Sequence, residues 1–379
     1  MKVSLSFSFR DIWSGIRYSF SFKKLWTQLQ GLVIGAVLYS VFAYLALMVS
    51  GLSLKEIWES WRFIPLPFGE SFNFIGKILL AIGVILFVIS NYIYAVAVGK
   101  ITFEQLKGDE FFEVGEAFKF ARRKGWPVIT APLSILFVIV FILLLGVILG
   151  LFGKIPFVGE IILLIFAIPA IVMCFFLVYL FFAFLLSWIL SPAVVSSSES
   201  DTFDTLFEVF STLNEQPFRF VLYQVYTGII ALFTSSFFAW ALGRAAWIMD
   251  KVLSISWLMG DKFRTIVTIG KYYLPSSPVY YLVSPFLNLI GVSGILNAEY
   301  VLPHATVTAH LVGFFFGIGF YIMIFLVLAQ FINSWTVGTL ISYLVIVKKK
   351  DDLDLLELKK EEPNKVDEEQ KQESGGEQG

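Results

Sequence analysis

The chain has 379 residues, of which 58% are hydrophobic, 17% aromatic and only 15% charged. Soluble domains carry ~25% charged residues, so the composition excludes an ordinary water-soluble protein and points to an all-α, polytopic helical membrane bundle. A net charge of −1 leaves no basic field for nucleic acid. A single cysteine, Cys174, excludes an intrachain disulfide, and no Cys/His spacing suggests zinc.

Residues 1–28 form a basic, aromatic segment carrying Lys2, Arg10, Arg17, Lys23 and Lys24. No short apolar core with a small-residue cleavage site precedes the first span, which is therefore read as an uncleaved anchor. The transmembrane domain is assigned to 29–350. A helix needs ~20 mostly apolar residues to cross ~30 Å of hydrocarbon. About six segments qualify on apolar length: Leu29–Val49, Phe74–Val98, Trp126–Phe152, Ile161–Leu190, Phe220–Met249 and Thr308–Val347. The run Ile161–Leu190 has no charge in thirty positions, and Pro169 within it predicts a kink. Gly153-Lys-Ile-Pro156-Phe-Val-Gly159 predicts a tight reversal, making spans three and four an antiparallel hairpin. The last span exceeds one straight crossing, so it tilts, emerges from the membrane or breaks near Ser334. Ser277–Asn297, interrupted by Pro278, Pro285, Gly291 and Gly294, reads as re-entrant or interfacial. If it spans, the count becomes seven.

Lysine and arginine in short loops set orientation. The N-terminus, Lys100–Lys124 and Lys348–Lys350 are basic and are expected in the cytoplasm, the membrane being a bacterial cytoplasmic membrane. Gly51–Glu70 and Gly153–Glu160 are expected outside. Asp250–Tyr273 fits poorly, because it would be external yet holds Lys251, Lys262, Arg264 and Lys271. From residue 351 to 379 the chain turns acidic and polar, predicting a disordered cytoplasmic tail that is either solvated or a docking peptide for a protein partner.

Two segments align without gaps at an offset of 92. Asp109, Phe111, Val114 and Phe118 match Asp201, Phe203, Leu206 and Phe210, with weaker echoes at Asp11-Ile-Trp13 and Asp261-Lys-Phe263. Each aspartate is a candidate helix N-cap. Each copy shows an apolar helical face and is followed by a span, giving repeat units of about 101–190 and 193–250. Such helices either lie in the interface, in contact with membrane lipids, or pack under the bundle as a collar.

Charge inside spans marks proton and ion paths, and here it is nearly missing; Lys77 and Arg244 lie near span ends. The remaining candidates for a polar cavity are uncharged: Asn91 in span two, Gln224 (beside Tyr223) in span five, and Gln330, Asn333 and Ser334 on one face of span six. Interhelical hydrogen bonding is the alternative role for them. Gly31–Gly35, Gly146–Gly150 and Gly313–Gly317 are small-xxx-small motifs, suited to a packed bundle or to a homo-oligomer. His304 and His310 are rotated apart on a helix and suggest no metal. No catalytic constellation and no cofactor is expected.

The stretch Ser191-Pro-Ala-Val-Val, Asp201-Thr-Phe203-Asp, Phe210-Ser, Pro217-Phe-Arg219 and Tyr223 resembles a broad group of uncharacterised bacterial polytopic inner-membrane proteins. It is distantly similar to the membrane domain of some glycerophosphodiester phosphodiesterases, which lacks catalytic residues. Ser334-Trp335, Tyr343-Leu344, Lys349-Lys350-Asp351 and Leu355-Leu356-Glu357 resemble the final span and tail exit of some members. The resemblance implies location and architecture, and no functional residues. The expected function is a non-enzymatic structural, assembly or envelope-organising component; the alternative is a transporter or lipid-handling permease with an uncharged polar cavity.

Overall fold

The computed structural model describes residues 5–67, 70–274 and 303–357. These form eleven α-helices and, among the described residues, no strand. They are α1 (Arg10–Ser19), α2 (Phe22–Val49), α3 (Leu54–Trp61), α4 (Phe74–Lys107), α5 (Val114–Lys124), α6 (Pro127–Phe152), α7 (Val158–Ser198), α8 (Thr202–Glu215), α9 (Pro217–Leu253), α10 (Asp261–Tyr272) and α11 (Val307–Asp351). Six of them, α2, α4, α6, α7, α9 and α11, are long and apolar enough to cross a membrane. The molecule is thus a multi-pass membrane bundle. Ser277–Asn297, where a seventh crossing was weighed, lies outside the described residues.

The described spans alternate in direction. α2 and α4 run antiparallel, with Gly31 against Tyr94 and Gly76 against Ser50. A Cβ on Gly31 would stand 2.7 Å from Tyr94 carbons, so this glycine sets how closely the two backbones approach. α9 and α11 are also antiparallel, since Gln224 meets Thr339 while Thr234 meets Ser334. α10 packs on the first turns of α11, Ile269 filling the notch at Gly313. The Tyr321 hydroxyl donates to the Tyr273 carbonyl at 3.1 Å. This basic segment therefore sits at the end of the bundle where α9 finishes and α11 starts.

The last span neither breaks at Ser334 nor stops at Val347. α11 is one 45-residue helix, ~68 Å long at 1.5 Å per residue, more than twice the hydrocarbon thickness. Its last third is enclosed: Val337, Leu340, Ile341, Val345 and Ile346 are fully buried. Residues of α1, α4, α6, α7, α8 and α9 complete this core. Leu355 joins the same core, so the chain beyond Asp351 first folds back before reaching the tail residues, which lie outside those described.

α6 and α7 form the expected hairpin, closed where Gly159 abuts Gly153. α7 continues through Pro169 and Pro192 as a single 41-residue helix. None of its most apolar window is buried within the chain, and Cys174 on it is exposed. Bilayer, not protein, is the natural solvent of this surface.

The four short amphipathic segments are all helices, with different caps. Asp201 caps α8, its Oδ1 accepting from the Asp204 N–H at 2.9 Å. Asp109 does not cap α5. Its carboxylate closes a local turn onto the Phe111 N–H at 3.0 Å, and the helix starts at Val114. The reason is the preceding residue: Gly108 ends α4 at φ +103°, and aspartate next to such a turn bonds locally. Phe111 is consequently 89% exposed, not on the helix face. On α8 both expected surroundings occur at once. Leu206, Val209, Phe210 and Leu213 pack into the core around α11, while Phe203 and Phe207 point outward.

Candidate functional site

The polar candidates do not converge on one cavity. Ser334 on α11 meets Thr234 of α9, their hydroxyls 2.8 Å apart, and Gln330 donates to the Ser334 hydroxyl at 3.1 Å. Asn333, one residue away and ~100° around the helix, faces α1 instead, its Nδ2 donating to the Ser19 carbonyl at 2.6 Å. The expected single polar face is thus divided between two neighbours. Gln224 accepts from the Thr339 hydroxyl at 3.1 Å, and its Nε2 is buried without a partner. Asn91 donates to the Phe87 carbonyl at 2.8 Å and accepts a longer, 3.4 Å bond from Gln28.

The sequence reading missed why α1 is there. α1 ends inside the protein, and a helix C-terminus leaves carbonyls without intrahelical donors. Lys24, fully buried, donates to the Tyr18 carbonyl at 2.9 Å and lies over the Tyr18 ring. Asn333 satisfies the next carbonyl, Ser19. A cation at the negative end of a helix dipole is stabilised, which accounts for a buried lysine with no carboxylate partner among the described residues. The extended Ser21 between two helices, preceded by the Asp11-Ile-Trp13 echo, was the available signal. Burial pushes the Tyr18 hydroxyl above its ordinary pKa, Arg17 partly opposing it.

Of the five candidates, Asn91 lines a cleft among the described residues. A cleft of about 420 Å³ lies between α4, α7 and α11. Its outer edge is aromatic: Tyr92 and Trp188 pack edge to face at 5.0 Å, and Phe331 and Trp335 lie 6.2 Å apart. Its floor holds Asn91, Thr336 and Thr339, all buried. Thr339 connects it to Gln224 behind. Charged groups near this end are already committed: Lys100 pairs with Glu104 at 2.9 Å and Glu199 at 3.1 Å, and Lys350 pairs with Glu208 at 3.1 Å. A second, wider groove of about 720 Å³ separates α2 from α11 beneath α3 and is almost wholly apolar, with Tyr44, Trp58 and Phe63 among its walls.

No family model, no curated protein and no solved structure matches this chain.

Proposed function

We propose that this protein is a non-enzymatic structural or assembly component of a bacterial cytoplasmic membrane. The observation that carries this reading is the burial of the last third of α11, which packs against α1, α4, α7 and α9 in one core. Three of the five candidate polar side chains, Gln224, Asn333 and Ser334, are likewise engaged in bonds between helices. Interhelical bonds of this kind contribute ~0.6 kcal/mol each and favour one arrangement of the bundle over a moving one. The basic residues gathered around α1, α5 and the end of α11 support a cytoplasmic position for that end. There the outward Phe203 and Phe207 of α8 meet the headgroup boundary. The α5–α6 and α8–α9 pairs, each a short helix followed by a span with proline in its first turn, support a duplicated building unit. The tail past Glu357 is the natural site for a protein partner.

The test is a null strain of the host scored for cell shape, envelope leakage and solute uptake. Envelope defects with uptake intact are expected. Selective loss of movement of one solute or lipid, in cells with a sound envelope, overturns the reading.

A second reading, a lipid-handling permease, is favoured by the cleft at Asn91, which opens among aromatic side chains suited to the membrane boundary. Lipid scrambling by the purified protein in liposomes tests it.

A further inference from the structure

We propose that the cleft between α4, α7 and α11 binds a membrane lipid with an uncharged, hydrogen-bonding head, of the diacylglycerol class, entering sideways from the bilayer. The proposal takes its location from the permease reading but concerns binding alone. Thr336 carries it. This residue lines the cleft and is only 6% exposed, yet its hydroxyl has no hydrogen-bond partner among the described residues. Several helical threonines bond back to the carbonyl four residues earlier, as Thr102 does to Val98, Thr205 to Asp201 and Thr234 to Ile230. A hydroxyl left unpaired away from water is costly, and this one belongs to a residue that lines the cleft.

Two neighbours extend the pattern. Pro192 also lines the cleft and has no N–H to offer the Trp188 carbonyl one turn before it, so that carbonyl lacks its usual helical donor. Asn91 lines the same floor, its amide engaged with Phe87 and Gln28. The floor therefore offers a donor at Thr336 and an acceptor at Trp188. A diacylglycerol head has the complementary set, two ester carbonyls and one hydroxyl.

Charge excludes the commoner lipids. No ionisable group that carries charge at neutral pH lines the cleft. Lys100, further along α4, is held by Glu104 and Glu199, and Lys24 by Tyr18. A phosphodiester brought here would be a desolvated anion without a counter-charge. The volume, about 420 Å³, lies within the range of small-molecule sites. It takes the glycerol ester head while the chains pass out between the Tyr92–Trp188 and Phe331–Trp335 pairs.

The experiment uses the full chain in phosphatidylcholine nanodiscs doped with a photoactivatable diacylglycerol, and in parallel with the matching phosphatidic acid. Diacylglycerol adducts are expected on peptides around Asn91, Trp188 and Thr336, with few from phosphatidic acid. Thr336→Val preserves shape and is expected to weaken diacylglycerol labelling about three- to tenfold, the effect of one hydrogen bond. Ala95→Leu, which fills the cleft, is expected to abolish it. Equal labelling by both probes, or wild-type labelling of a folded Ala95→Leu variant, overturns the proposal. Scrambling by the same purified protein in liposomes separates the two ideas: labelling without lipid movement ends the permease reading and leaves the site.

Discussion

Replacing Ile341 by alanine tests the central claim about α11, that its last third is a protein core and not a lipid-facing span. Ile341 is fully buried and lies where α1 approaches, its Cδ1 3.7 Å from the position a Cβ on Gly15 would take. The substitution removes three carbons. At ~0.8 kcal/mol per buried methylene the transfer loss is about 2.5 kcal/mol, and the remaining cavity brings the total to ~2–5 kcal/mol. Leu144→Ala on α6 is the matched control. Leu144 is 55% exposed in a hairpin surrounded by lipid, so its loss leaves little cavity and costs less than ~0.5 kcal/mol. Denaturant unfolding of both variants in one detergent, followed by tryptophan fluorescence, compares them directly. Equal destabilisation by the two changes, or none by Ile341→Ala, refutes the enclosure of α11 and the structural reading built on it.

Asp201→Ala removes the cap on the Asp204 N–H and is expected to cost about 1 kcal/mol, seen as faster amide exchange confined to α8; unchanged exchange there defeats the assignment. Gly31→Leu forces a side chain into Tyr94 and is expected to prevent stable folding, whereas a Cβ on Gly146 meets open space, so Gly146→Leu leaves the monomer's melting unchanged. If instead Gly146→Leu dissociates an oligomer in native mass spectrometry, that motif joins two copies. The Glu56 carboxylate is held below its ordinary range by hydrogen bonds from the Ser53 backbone and hydroxyl. Since the folded value is depressed, the cap's contribution to α3 is present above the unfolded carboxylate pKa and fades as pH falls through the lowered one. Trp58 emission is expected to report fraying of α3 in acid and not at neutral pH, and Glu56→Gln should remove the transition.

Much of the architecture was legible from local chemistry. A thirty-residue run without charge, such as Ile161–Leu190, has one stable setting, because a bilayer offers no partner to an unbonded peptide group and demands none from an apolar side chain. The six described spans, the α6–α7 hairpin and the positions of the amphipathic helices all follow from patterns within a few residues of each other. What the local pattern could not decide is which neighbour each face meets. Asn333 and Ser334 look alike on a helical wheel, yet one turns to α1 and the other to α9. Both are polar, and polarity names no partner. The apolar run of α11 reads the same whether lipid or protein surrounds it, since hydropathy does not distinguish hydrocarbon from a packed core; only the packing of other helices around it tells them apart. The cleft is likewise a tertiary product. Asn91, Pro192 and Thr336 are up to 245 residues apart in the chain, and they share one cleft only because these three helices pack as they do.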